Sequence, residues 1–285
     1  MKLAIIGNND GPLNLIKSLK KQGLKPVCVG LQKVISDKLY REYTQYIPET
    51  EIFTDFEEEK ALEYLESFEI DLLVNCFCNF KFIKLLEIYE IFNVHLSALP
   101  KYRGRHPLHW ALINGEEYLG VSIHKMTPKF DSGDIYWQYL LKTKEGMSVK
   151  EAREELLQQL EKEFGAFIKN LEQNMEEIKS NPDKEATYIP RRFPEDSQLT
   201  EWYDIDLIFR KVMALSSESN PAYILKNGKK INIINAEKIT SSLKGKPGKI
   251  VNLFDDGIEI CGKNQNIILK SFVPSKFNFK INNQL

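Results

Sequence analysis

A chain of 285 residues is long enough for one large domain or two ordinary ones, each with a core of its own. Its 39 Lys and Arg against 40 Asp and Glu leave a net charge of -1, which argues against nucleic acid as a default partner, since neutralising phosphates takes a basic excess. Hydrophobic residues at 42% and charged residues at 28% describe a soluble globular protein, and no apolar run nears the ~20 residues that cross a bilayer.

Lys2 to Gly7 is a short apolar run that stops in Gly-Asn-Asn-Asp-Gly, a buried strand entering a turn. It lacks a signal peptide's apolar core and cleavage site, so the cytoplasm is the expected location. Leu13, Ile16, Leu19 and Leu24 recur at helical spacing, and Gly23 closes that helix. Pro26 to Leu31 predicts a second strand, Glu57 to Phe68 a helix, and Asp71 to Phe77 a continuously apolar strand. Phe82 to Tyr89 predicts a helix and Ile91 to His95 the next strand. Val121 to Met126 and Ile135 to Leu141 are strands flanking a loop, and residues 148 to 179 are an amphipathic helix.

Alternating strands and helices imply a Rossmann-like, mostly parallel sheet with helices on both faces. The first turn offers Gly7 and Gly11 but no dinucleotide fingerprint. After Ser180-Asn181-Pro182-Asp183 the chain turns polar. A helix over Asp206 to Leu215 then precedes short strands broken by Asn227-Gly228, Pro247-Gly248 and Asp255-Asp256-Gly257. These point to a small C-terminal OB-like β-barrel domain. The expected division is 1–182 catalytic domain, 183–203 linker and 204–285 β domain. Cys28, Cys76, Cys78 and Cys261 have neither zinc-site nor disulfide-framework spacing, and no metal is expected.

All four histidines lie between His95 and His124, and residues 91 to 115 contain no Asp or Glu. Histidine changes charge near neutral pH, so concentrating it in one segment points to chemistry there. Lys101, Arg103 and Arg105 make the same segment a cationic island suited to a phosphorylated ligand, with the Arg pair able to hold a pyrophosphate. Tyr102 and Trp110 can stack on a sugar or base, or simply pack. Asn93 and His95 are two apart on a strand and share a face at its carboxyl end, where ligands of such sheets bind. Asn8, Asn9 and Asp10 border the same rim. An imidazole can take a proton from an attacking amine, a carboxylate such as Asp131 can orient it, and the Asn93 amide can support an oxyanion. Together these describe acyl transfer to nitrogen, although both short fragments also occur without function.

The run Asn93-Val94-His95, Ser97-Ala98-Leu99-Pro100-Lys101-Tyr102-Arg103-Gly104, Pro107-Leu108-His109-Trp110 and Phe130-Asp131-Ser132-Gly133-Asp134 resembles the N10-formyltetrahydrofolate-dependent formyltransferases. The resemblance covers most of residues 70 to 270, with Leu96 where many relatives have Gly. It implies Asn93, His95 and Asp131 as the catalytic triad and N10-formyltetrahydrofolate as formyl donor. It also implies folate contacts from Cys78, Asn79, Phe80, Phe82, Ser97 and Asp134. The form Arg-Gly-Arg-x-Pro-Leu-x-Trp is similar to the sugar N-formyltransferase branch, of the UDP-4-amino-4-deoxy-L-arabinose type. That implies a nucleotide-linked amino sugar as acceptor, contacted by His109, Arg191 and Arg192, in surface-glycan precursor synthesis. UDP, dTDP and GDP, and 3- and 4-amino positions, all stay open. A homodimer is the symmetry default. The rivals are methionyl-tRNA formylation, for which Gln32 to Glu49 lacks a basic loop, and a non-catalytic folate- or sugar-binding module. A glycinamide ribonucleotide formyltransferase would lack the C-terminal domain.

Overall fold

A computed structural model of the chain describes residues 1–33, 35–171, 177–273 and 278–285. The chain divides into two compact units: residues 1–104, 120–141 and 154–188 form the first, and 105–119, 142–153 and 189–285 the second.

The first unit is built on a seven-stranded sheet of β1 (Leu3–Gly7), β2 (Cys28–Leu31), β3 (Ile52–Thr54), β4 (Leu72–Cys76), β5 (Ile91–His95), β7 (Tyr118–Lys125) and β8 (Ile135–Lys142). Their order is β3-β2-β1-β4-β5-β7-β8. The pairings from β3 to β5 are parallel, and β7 runs antiparallel to β5. The 3-2-1-4-5 order is the doubly wound arrangement, reversing direction at β1 and β4. Between the strands lie α1 (Gly11–Lys21), α2 (Asp37–Thr44), α3 (Glu58–Leu65) and α4 (Lys84–Ile88).

Strand alternation distributes helices to both faces. Ala4, Cys28, Leu73 and Ile91, which share register positions, turn into one cluster with Phe53 of β3 and with Phe56, Leu62, Phe82 and Leu85 from α3, α4 and nearby loops. On the opposite face Phe92 meets Phe167 of α6 (Val149–Lys169), and α6 closes on α1 where the Ser18 hydroxyl accepts the Gly165 N–H at 2.7 Å. The amphipathic helix expected over 148 to 179 is thus seen to Lys169; residues 172 to 176 of it lie outside the described residues.

Several short elements escaped the sequence reading. The stretch from Gln32 to Glu49 contains α2, whose N-cap hydroxyl, Ser36, accepts the Leu39 N–H. β3 is a three-residue edge strand, too short for a period to register. Pro107–Asn114 is a helix, α5, begun by a proline at its first turn and closed by Gly115 at φ +76°.

The second unit carries an antiparallel five-stranded sheet in the order β10-β11-β14-β13-β12. Its strands are β10 (Tyr223–Lys226), β11 (Lys229–Ile239), β12 (Ile250–Leu253), β13 (Gly257–Cys261) and β14 (Asn266–Val273). Asn227 and Gly228, at φ +50° and +72°, make the two-residue turn that joins β10 to β11 in the right twist. Helix α7 (Ile205–Ala214), capped by the Asp204 carboxylate, lays Ile205, Ile208 and Val212 on Ile231, Ile233, Ile260 and Leu269 of the sheet. Leu199 and Trp202, which the sequence reading leaves in the linker, are buried in this same core.

Candidate active site

The site grows from one row of side chains across three strands. Asn75 of β4 lies opposite Asn93 of β5, and Asn93 lies opposite His124 of β7, all on the face that holds the aromatic cluster. Asn75 Nδ2 donates to Asn93 Oδ1 at 2.7 Å, and Asn93 Nδ2 is 3.0 Å from His124 Nε2. All three side chains are buried, a placement that polar groups tolerate only when bonded in this way.

His95, two residues beyond Asn93, is also buried, and its ring is held at Nε2, 2.9 Å from the Tyr102 carbonyl oxygen. A carbonyl can only accept, so Nε2 carries the hydrogen and Nδ1 is the free lone pair of the neutral ring. Burial lowers the His95 pKa below the ordinary 6.5, against the opposing pull of Asp131. Tyr102 sits at φ +60° and is pinned by its own N–H to the Thr187 hydroxyl at 2.8 Å.

Asp131 comes from the loop between β7 and β8. Its Oδ1 stands 3.3 Å from Asn93 Nδ2, 3.4 Å from His124 Nε2 and 3.7 Å from His95 Nδ1. Its Oδ2 accepts the Gly104 N–H at 2.9 Å. Burial raises this carboxyl, but His95, His124 and the Gly104 N–H overcome that and hold it at about 2. The expected triad is therefore assembled around one carboxylate oxygen. The orienting bond on His95 comes from the Tyr102 carbonyl, whereas Asp131 stands beyond hydrogen-bond length from it.

The loop is clasped from behind. Asn181 Nδ2 donates to the Asp131 and Gly133 carbonyls at 2.8 and 2.9 Å. Gly133 passes so close that a Cβ there would lie 1.9 Å from the Lys125 carbonyl oxygen. Arg103, expected to hold a pyrophosphate, is instead wholly buried. Its Nη2 reaches the backbone and side-chain oxygens of Asn181 at 2.8 Å each, and its Nη1 reaches Asp183 and the Tyr188 hydroxyl at 2.6 and 2.7 Å.

On the folate side of the expectation, Phe80 and Phe82 stack with centroids 4.6 Å apart. Asn79 is exposed, its N–H bonded to Gln32 Oε1, and the half-buried Cys78 thiol is pushed well up by burial. Ser97 is buried, its hydroxyl on the Lys101 carbonyl, while Asp134 is exposed and its carbonyl accepts the Lys125 N–H. Asn8 spans Gln32 and the Phe77 carbonyl at 2.7 and 2.8 Å, Asn9 is exposed at φ +54°, and Asp10 begins α1.

The remaining expected residues lie in the second unit. His109 pairs with Glu218 at 3.2 Å, and Trp110 Nε1 donates to the Pro190 carbonyl. His106 Nδ1 accepts the Arg192 N–H at 2.9 Å, and Arg191 lies over the Phe193 ring. Burial first, and then the surrounding His109, Arg192, Arg191 and Arg105, push His106 down to about 4. Among the described residues no group of three His, Cys, Asp or Glu side chains is arranged to hold a metal ion.

Sequence reasoning gave Asn75, His124, Asn181 and Thr187 no role in the site. Asn75 had a signal, a polar residue inside an apolar strand. His124 had one in its alternation on β7, but only the strand order puts it opposite Asn93.

The formyl transferase family profile matches residues 1–168, and the profile of the formyl transferase C-terminal domain matches 201–278. The chain belongs to the formyl transferase family. It is 34% identical over 224 residues to the bifunctional polymyxin resistance protein ArnA of Wigglesworthia glossinidia brevipalpis, covering 74% of this chain and 33% of that protein. It is 31% identical over 237 residues to the methionyl-tRNA formyltransferase of Mesoplasma florum, covering 79% of this chain and 74% of the relative. The fold is that of the Helicobacter canadensis N-formyltransferase solved with folinic acid and dTDP-3-aminofucose, with a TM-score of 0.72 at 19% identity over 95% of this chain and 99% of that one.

Proposed function

We propose that this formyltransferase moves the formyl group of N10-formyltetrahydrofolate onto the primary amine of a nucleotide-linked amino sugar. The observation that carries the chemistry is the convergence of Asn93, His95 and His124 on Asp131 Oδ1 at the carboxyl end of β5. His95 Nδ1 is the open lone pair in this arrangement, so His95 takes the amine proton as the nitrogen attacks the formyl carbon, and returns it to N10 as the bond from the formyl carbon to N10 breaks and tetrahydrofolate leaves. Its Nε2 hydrogen is committed to Tyr102, which speaks for the base over polarisation of the formyl carbonyl. Asp131, ionised throughout, then faces a histidinium across 3.7 Å and stabilises it. Asn93 supplies a hydrogen bond to the oxyanion, a contribution of about 3 kcal/mol by the oxyanion-hole benchmark.

For the donor, the stacked Phe80 and Phe82 beside Cys78 and Asn79 at the strand ends offer the aromatic flank that a pterin needs. For the acceptor, the charge near zero, the acid-free segment 91 to 115 and the cationic surroundings of His106 support a compact diphosphate over an RNA. Arg105, His109, Trp110, Arg191 and Arg192 are its proposed contacts. The partners on this reading are folate and nucleotide sugar, and four free cysteines suit a reducing cytoplasm. The second reading, methionyl-tRNA as acceptor, has its support in the Mesoplasma florum relative and others of that kind.

Formyl transfer offered to UDP-, dTDP- and GDP-linked 3- and 4-amino sugars, and in parallel to methionyl-tRNA, separates these readings. Turnover on one nucleotide sugar is the expected result, and turnover confined to methionyl-tRNA overturns the acceptor assignment.

A further inference from the structure

An asparagine that donates to an oxyanion must present its NH2 end, and the two ends of the amide differ only by a half-turn about one bond. The fold sets that half-turn at Asn93 from both sides. On one side the Cys78 backbone N–H points at Asn75 Oδ1 at 3.1 Å. A backbone N–H can only donate, so the oxygen of Asn75 faces it and the Asn75 NH2 faces the other way. That NH2 meets Asn93 at 2.7 Å and requires the Asn93 oxygen there, which leaves the Asn93 NH2 turned toward Asp131. On the other side His124 Nδ1 lies 2.9 Å from the Lys125 carbonyl, which can only accept. His124 therefore carries its hydrogen on Nδ1 and offers a lone pair at Nε2, 3.0 Å from the Asn93 NH2. Two backbone groups of opposite polarity thus dictate one orientation of the same amide.

We propose that Asn75 is a positioning residue for formyl transfer, holding the Asn93 amide with its NH2 toward the reacting carbonyl. The proposal rests on the reading of Asn93 as the oxyanion donor. Asn75 touches neither donor nor acceptor in this role and acts only through Asn93. One Asn93 hydrogen stays on His124, and the other, 3.3 Å from Asp131 in the free protein, is the one an oxyanion recruits.

Asn75→Asp tests this with little change in shape. One carboxylate oxygen still accepts from Cys78, but the other faces the Asn93 oxygen, and Asn93 turns over. Protonated, the same carboxyl donates again and restores the orientation. The ratio of variant to wild-type kcat, measured with the acceptor turned over fastest in the panel above, is expected near one at low pH. It should fall about 100-fold through a single ionisation between about pH 6 and about pH 10, the size of losing one oxyanion donor, with burial placing that ionisation above the usual carboxylate range. Binding of N10-formyltetrahydrofolate, followed by fluorescence, should change by less than about threefold, since the variant keeps an acceptor for the Cys78 N–H and leaves Phe80 and Phe82 in place.

A ratio that is flat with pH, or within about threefold of one throughout, overturns the proposal. Asn75→Leu decides the matter if the aspartate variant does not fold. It lacks a donor at every pH and should lower kcat about tenfold without pH dependence, and kcat within about twofold of wild type overturns the proposal. Asn93→Ala run alongside keeps the two readings apart. If it stays active, the oxyanion-donor reading fails; if it is inactive while Asn75→Asp matches wild type, only the positioning role fails.

Discussion

Asp131 is the residue on which the site's electrostatics turn. Its carboxyl is held at about 2, so it is ionised wherever the protein is folded and active, while burial keeps His95 neutral below the ordinary histidine value of 6.5. A neutral base beside a fixed anion is what proton abstraction from an amine needs, because the histidinium that forms is compensated at once. Two outcomes follow from the signs. The acid limb of kcat belonging to His95 should lie below pH 6.5. Asp131→Asn removes the charge that raises the His95 pKa, so the limb should move to lower pH still, with kcat down about 100-fold. A limb displaced upward in that variant would show that Asp131 does not act on His95 through charge. Gly133→Ala makes a steric counterpart, because the new Cβ must push the Asp131 loop away from the Lys125 carbonyl. Steady-state kinetics should show a kcat loss of about tenfold or more with the folate KM little changed.

Among the elements, the short ladder of β6 (Arg103–Gly104) with β9 (Tyr188–Ile189) and the segment between Asn181 and Tyr188 do work that their length does not advertise. Arg103 is buried between Asn181, Asp183 and Tyr188, and Asn181 in turn holds the Asp131 loop. Removing a buried guanidinium whose two terminal nitrogens are both engaged leaves their partners unpaired, so Arg103→Ala should lower unfolding free energy by about 3 kcal/mol. Arg103→Lys should recover little of it, since an ammonium cannot span both ends of the fork. Urea midpoints of the two variants check this, and a lysine variant as stable as wild type would mean that charge alone matters. The same element marks how far sequence reading reaches. Asn93, His95 and Asp131 were legible because strand alternation and a distinctive motif concentrate the information locally. Arg103 looked like a ligand residue because an arginine in a basic, glycine-flanked loop reads as exposed. Its burial depends on residues about 80 positions away, Asn181 and Asp183, and no local period encodes that. α2 was missed because its eight residues are mostly polar, and β3 because three residues are too few for a period to show.

At the scale of the whole molecule the groups that titrate in the acid range act in one direction. His95 and His106 both have pKa values below the unfolded 6.5, with His106 at about 4, so the unfolded chain binds more protons as pH falls through that window. Asp131, at about 2 against 3.8, continues the trend at lower pH and contributes about 2 kcal/mol that is present above its unfolded value and lost toward its folded one. Stability by urea denaturation should therefore fall steadily from pH 6.5 downward, and His106→Asn should flatten the upper part of that slope. A stability constant between pH 6.5 and about 4 would contradict this. The doubly wound sheet and the C-terminal antiparallel sheet were both legible from strand and turn spacing. The assignment of residues 105–119 and 142–153 to the second unit was not, because it reflects which residues pack together and not where the chain changes composition. The most direct test is formyl transfer from N10-formyltetrahydrofolate by Asn93→Ala, His95→Ala and Asp131→Ala, each shown by circular dichroism to be folded and by fluorescence to bind the folate. The expected result is loss of at least about 100-fold in kcat in all three with donor binding kept. Any one of them turning over within about threefold of wild type would contradict the triad.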